Sequence, residues 1–146
     1  ATGATGSNVL FNGYAFYIAS AGQLNIIAGN QINLQSMEIQ SGGFSLTGGG
    51  ATVPATGTYQ IYYQVTPDSG NVALILSGST TGTIISSSFG NASSGNAMIA
   101  GSVITPLVAG ETVSIINNSS TTFNTTTTPA STLPTVPVQM TIFWLP

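Results

Sequence analysis

Gly57-Thr58-Tyr59-Gln60-Ile61-Tyr62-Tyr63-Gln64-Val65 is the stretch that decides the fold. A glycine opens it, and apolar and polar positions then alternate. Tyr59, Ile61, Tyr63 and Val65 share one face; Thr58, Gln60, Tyr62 and Gln64 share the other. A period of two with β-branched and aromatic residues predicts a strand with one face in a core.

Strand signals extend in both directions from it. On the N-terminal side, Tyr14, Phe16 and Ile18 alternate with Ala15, Tyr17 and Ala19. Leu24–Ile27, the Ile32/Leu34 and Met37/Ile39 runs, and Phe44–Leu46 follow. Gly48-Gly49-Gly50 is a loop, and it is no phosphate loop because neither Lys nor a helix follows it. On the C-terminal side, Pro67-Asp68-Ser69-Gly70 is strong turn chemistry. Val72, Leu74 and Leu76 then alternate with Ala73 and Ile75. Further strands are expected at Thr83–Ile85, at Ala97–Thr105 closed by Pro106, at Val113–Ile116 and at Val138–Leu145. In the last, Val138, Met140, Ile142 and Trp144 share a face opposite Gln139, Thr141, Phe143 and Leu145. The Thr- and Ser-rich segment 117–137 reads as a long exposed loop. About ten short strands with Gly/Pro punctuation, and no helical period, predict an all-β antiparallel sandwich.

Composition removes whole classes of function. The 146 residues contain no Lys, Arg, His or Cys, and only three acidic side chains, Glu38, Asp68 and Glu111. Phosphate neutralisation is impossible without cations, so nucleic acid is not an expected partner. No run approaches the ~20 apolar residues of a membrane span, so no membrane insertion is expected. Nucleophilic catalysis lacks its base, since His, Lys and Cys are missing. A glycosidase needs two carboxyls about 5–10 Å apart. Asp68 and Glu111 instead sit in turn signals, and Glu38, between Met37 and Ile39, points to solvent. No enzyme activity and no cofactor are expected. A calcium site built from three copies of one of these carboxylates is the weaker reading.

The strand Gly57-x-Tyr59-x-Ile61-x-Tyr63 resembles the signature of the jelly-roll family shared by complement-type heads and tumour necrosis factors. Ile61 stands where the complement branch usually has Phe. The chain most resembles the C-terminal heads of collagen-like bacterial spore-surface (exosporium) glycoproteins of the BclA type. The likeness in strand order covers Tyr14 to Pro146, but only the 57–63 motif is specific. The resemblance implies a jelly roll assembling as a homotrimer. It also gives weight to Ala1-Thr2-Gly3-Ala4-Thr5-Gly6, where Gly at every third position is the collagen register. Residues 1–12 are then the end of a collagen-like stalk and a linker, and residues 13–146 the head. The start at Ala1-Thr2 without Met reads as a fragment or processed form.

Self-association also has a basis in the residues. A sandwich needs one apolar face per strand, yet Tyr17, Tyr62, Ile75, Phe143 and Leu145 put bulk on a second face. They are the candidates for the trimer interface. The other reading is that they belong to inner faces and the register is one residue off. Asn91, Asn117, Asn118 and Asn124 match the N-glycosylation pattern, as expected by chance in so Asn- and Thr-rich a chain. The resemblance instead implies sugars on stalk threonines, here Thr2 and Thr5.

The expected function is a non-enzymatic trimerisation head at the tip of a collagen-like filament. It sets chain register and presents an inert or adhesive surface outside the cell, on a spore or cell surface. Host surface proteins or glycans are the partners the resemblance implies. The alternative is a carbohydrate- or receptor-binding jelly-roll module, such as a lectin or a viral or phage fibre tip, with Tyr17, Tyr62 or Trp144 stacking on a sugar. A cytokine-like ligand is a third class that rests on fold analogy alone.

Overall fold

The computed structural model describes residues 10–68, 70–84, 91–92, 97–125 and 136–146. The Gly3/Gly6 register, Thr2, Thr5 and the run from Thr126 to Thr135 lie outside them. Among the described residues there are twelve strands and no helix: β1 (Gly13–Ala19), β2 (Gln31–Ile32), β3 (Ser36–Ser41), β4 (Ser45–Thr47), β5 (Gly50–Thr52), β6 (Gly57–Val65), β7 (Val72–Gly78), β8 (Gly82–Ile84), β9 (Asn91–Ala92), β10 (Ile99–Leu107), β11 (Thr112–Asn117) and β12 (Val138–Trp144). The excess over ten comes from two- and three-residue strands.

All pairings are antiparallel. One sheet has the order β10-β6-β12-β1-β3; the other runs β4-β5-β11-β7-β8, with β2 added on β11 and β9 on β7. The chain crosses between layers from β5 to β6 to β7, and again from β10 to β11 to β12. This wiring makes an antiparallel jelly-roll sandwich. The signature strand β6 lies inside the first sheet, between β10 and β12.

The core is the meeting of the two inner faces. Tyr59, Ile61, Tyr63 and Val65 are buried, as their alternation predicts, with Val72, Leu74 and Leu76 of β7 and Val138, Met140 and Ile142 of β12. Tyr59 donates its hydroxyl hydrogen bond to the carbonyl of Ala55 at 2.6 Å, so its polar tip is satisfied as the ring enters the core. Trp144 lies over Gly57 and stacks on Tyr59, ring centroids 6.1 Å apart. The glycine of the signature is there because the indole occupies the space a Cβ would need.

Three expectations need correction. In β1 the inner residues are Ala15, Tyr17 and Ala19, while Tyr14, Phe16 and Ile18 face outward. Tyr17 is fully buried, its hydroxyl donating to the Ser45 carbonyl at 3.0 Å. It fits because its neighbours on that face are alanines, which a rule placing the bulkier set inside does not foresee. Leu24–Ile27 is no strand: Asn25 has a positive φ of 56°, and only Ile26 bridges, to Phe123.

The segment from Asn117 is not all exposed loop. Asn117, Phe123 and Thr125 are buried. The Asn117 amide donates to the carbonyls of Ile26 and Thr121 and accepts from the Ser119 N–H and hydroxyl. A fully bonded amide can be buried at little cost, which its polarity alone conceals.

Candidate subunit interface

The outer faces of the two sheets differ in chemistry. On the seven-stranded sheet, register sets Thr112 beside Thr52, Ser114 beside Ser77 and Ile116 beside Ile75. The Thr52 and Thr112 hydroxyls are 2.9 Å apart and hydrogen-bonded. That face is a hydroxyl surface with one isoleucine pair in it.

On the five-stranded sheet, side chains opposite the core form continuous rows across strands, because alternation gives every second residue to the outer face. One row runs Ile104, Gln60, Phe143, Tyr14. The next runs Ser102, Tyr62, Thr141, Phe16, Ile39. A third runs Ala100, Gln64, Gln139, Ile18. Phe11 stacks on Phe143 with centroids 4.7 Å apart, and Tyr62 meets Phe143 edge-on at 6.3 Å. Gln60 donates its side-chain amide to the Tyr62 hydroxyl. Tyr14, Tyr62, Ile39 and Ile104 are between 41 and 62% exposed, more than scattered surface residues on one sheet face would account for.

The five residues expected at a subunit interface therefore do not share one surface. Tyr62 and Phe143 touch, and Leu145 follows β12 in the same outward alternation. Ile75 lies on the outer face of the other sheet, and Tyr17 is in the core. The outer face of the five-stranded sheet also carries Phe11, Tyr14, Phe16, Ile18, Ile39 and Ile104, which the sequence reading did not place there. The usable signal was that β1 carries bulk on both faces.

An open cavity of ≈ 420 Å³ lies on the same outer face, over β10, β6 and β12. Tyr62, Gln64, Ala100, Ser102, Gln139 and Thr141 line it. The dip exists because β10 is small-sided here. A Cβ on Gly101 would meet the Tyr63 ring and hydroxyl at 2.7 Å.

The three carboxylates stand apart, and no cluster of three metal-ligating side chains occurs among the described residues. Glu38 is exposed on β3 and accepts from the Ser36 hydroxyl at 2.5 Å. Asp68 accepts from the backbone N–H and side-chain amide of Asn124, at 2.8 and 2.6 Å. Glu111 is buried at 1% exposure. It accepts from the backbone N–H groups of Thr81 (2.6 Å), Val108 (3.0 Å) and Thr80 (3.2 Å). Burial alone would raise its pKa; these hydrogen bonds outweigh burial and hold it below the ordinary glutamate value. Of the aromatics named for sugar stacking, Tyr17 is buried and Trp144 is taken up by Tyr59 and Gly57. Only Tyr62 stands exposed beside a polar cleft.

The chain matches no protein-family profile and no curated protein sequence. Solved structures do resemble it. Murine APRIL superposes with a TM-score of 0.64 at 14% identity, covering 90% of this chain and 98% of that one. The globular domain of a zebrafish complement 1qA protein gives 0.61 at 11% identity, covering 89% and 93%. The PRD1 vertex protein P5 gives 0.61 at 17% identity, covering 93% and 99%. The fold is a jelly roll of the tumour-necrosis-factor and complement-head kind.

Proposed function

We propose that this chain is a non-enzymatic trimerisation head that holds three chains in register at the tip of a collagen-like bacterial surface filament, outside the cell, as in exosporium glycoproteins of the BclA type. The observation that carries the reading is the outer face of the five-stranded sheet, where Phe11, Tyr14, Phe16, Tyr62 and Phe143 form an aromatic surface with no charge on β6, β10 or β12. Covering it stabilises an assembly by ~25 cal/mol per Å² of apolar area removed from water. The hydroxyl-rich face of the other sheet then remains outward, weakly charged and without a Lys or Arg for trypsin-like proteases.

The likeness to a complement head and a phage vertex protein supports a jelly-roll module of this kind. The triplet glycines Gly3 and Gly6, with Thr2 and Thr5 as candidate sugar sites, support the stalk. The test places collagen-like Gly-X-Y repeats before Ala1 and follows triple-helix formation by circular dichroism. The reading requires winding to be faster and the helix more stable with the head than with the Phe143→Glu head. Equal behaviour would refute it.

A further inference from the structure

Large apolar side chains are also exposed away from the sheet faces, at the end of the sandwich opposite Gly13. That end is marked by one row across the five-stranded sheet, Ile99, Val65, Val138 and Ala19. The loop 23–30 follows β1 beyond Ala19. In it Leu24 is 77% and Ile27 50% exposed. Met98, directly before Ile99, is 60% exposed at the same end.

This tip is apolar but not slack. Ile26 is buried, and it exchanges backbone hydrogen bonds with Phe123 at 2.8 and 3.3 Å. The Gln23 N–H donates to the Thr125 hydroxyl, and the Thr125 N–H donates back to the Gln23 carbonyl, both at 2.9 Å. The Asn25 N–H donates to the Asn124 side-chain oxygen, and the Gly29 N–H to the Asn117 carbonyl, both at 2.8 Å. Leu24 and Ile27, on either side of the inward Ile26, are therefore held outward on a fixed backbone. Covering them costs little further ordering.

Two properties select the partner. The projecting side chains are Leu, Ile and Met, without the Trp, Tyr or Arg that anchor protein contacts. A fluid apolar medium accepts such projections without a matching pocket. The chain also has no cation, and the Asp68 carboxylate stands behind the loop, bonded to the same Asn124 that holds Asn25. An anionic surface is repelled, and a neutral one is not.

We infer that this tip docks shallowly on a neutral lipid bilayer, with Leu24, Ile27 and Met98 reaching the acyl boundary and the surrounding amides staying among the headgroups. No spanning segment is needed for such a contact. The tip lies off the aromatic sheet face, so subunit contact there leaves it free. Several tips in one assembly then bind together.

The experiment is cosedimentation of the intact chain with phosphatidylcholine vesicles, with and without added phosphatidylserine. The expected result is binding to phosphatidylcholine that persists in high salt and weakens when phosphatidylserine is added. It falls about tenfold or more in Leu24→Asn/Ile27→Asn, at unchanged unfolding midpoint and mass. Leu24→Trp keeps the proposal testable if the double variant misfolds. Its new indole should be quenched by lipids brominated near the headgroup, whereas the wild type, whose one tryptophan, Trp144, lies at the opposite end beside Gly57, should not be. The proposal is overturned by no binding to phosphatidylcholine, by binding that requires phosphatidylserine, or by no quenching in Leu24→Trp. A folded double variant that binds as wild type does also overturn it, since the lipid would then be meeting another surface such as the aromatic face. A monomer that binds through the tip would refute the assembly reading and leave this one standing.

Discussion

A Cβ on Gly57 would lie 2.5 Å from Nε1 of Trp144. The indole cannot retreat, because its other side is stacked on buried Tyr59. The first residue of the signature strand and the last of β12 are thus locked to each other. Gly57→Ala is expected to destabilise the fold by about 1–3 kcal/mol, the usual cost of overpacking. Urea denaturation checks it; an unchanged midpoint would mean that Trp144 has room to move.

Glu111 ties the turn before β11 to the turn after β7. Its carboxylate satisfies three backbone N–H groups, and a side chain at Gly78 would collide with it. Glu111→Ala leaves those donors without their acceptor and is expected to cost about 1–3 kcal/mol. Glu111→Gln keeps one oxygen but turns an N–H toward a donor, so it is expected to fall in between.

The same group sets a pH dependence. Its pKa is lower folded than unfolded, so the folded state gains stability from ionised Glu111. That gain is complete above the unfolded value of about 4.3. It is lost as pH falls through the depressed folded value. Stability curves of wild type and Glu111→Ala should approach each other as pH falls through the folded pKa, move apart as pH rises from there to about 4.3, and keep a constant gap above it. Parallel curves across the whole range would remove Glu111 from this role.

Phe143 points away from the core, so its replacement separates assembly from folding. Phe143→Glu puts a charge on a face with no cation to pair it. The expected result is loss of the oligomer with a change in protomer stability below about 1 kcal/mol, as for other surface substitutions. Cooperative unfolding at a midpoint that no longer depends on protein concentration, read beside a reduced mass, is the check. Intact assembly would show that the aromatic face is not the contact.

Association through that face should also be indifferent to salt. Glu111 is buried, Asp68 is bonded to Asn124, and β6, β10 and β12 carry no charged side chain. Glu38, exposed on β3, has no cation to pair with, so raising ionic strength, which shortens the screening length to about 3 Å at 1 M, can only weaken repulsion between copies. The dissociation constant by sedimentation should stay level or tighten. A marked loosening would point to an electrostatic contact elsewhere.

How much of this was legible depends on the strand. β6, β7 and β12 could be assigned to inner and outer faces because one face of each carries the larger or more apolar set, and burial follows it. β1 could not. Tyr14, Phe16 and Ile18 look like the core set, yet Tyr17 goes inward between Ala15 and Ala19, where two small residues leave room for one large ring. That single inversion hid Tyr14 and Phe16 from the candidate surface and put Tyr17 wrongly on it. Ile75 was legible as outward-facing, but which sheet it faced out from depends on pairing between distant strands. Glu111 looked like an ordinary turn acid. Its burial depends on Thr80 and Thr81, thirty residues earlier, whose N–H groups only the fold brings to it.

The most direct test of the central claim is the solution mass of this chain by light scattering coupled to size exclusion, across a dilution series. The account predicts about three times the 14.7 kDa chain mass, persisting on dilution. A monomer at every concentration would contradict it, leaving the aromatic face of the five-stranded sheet to some other partner.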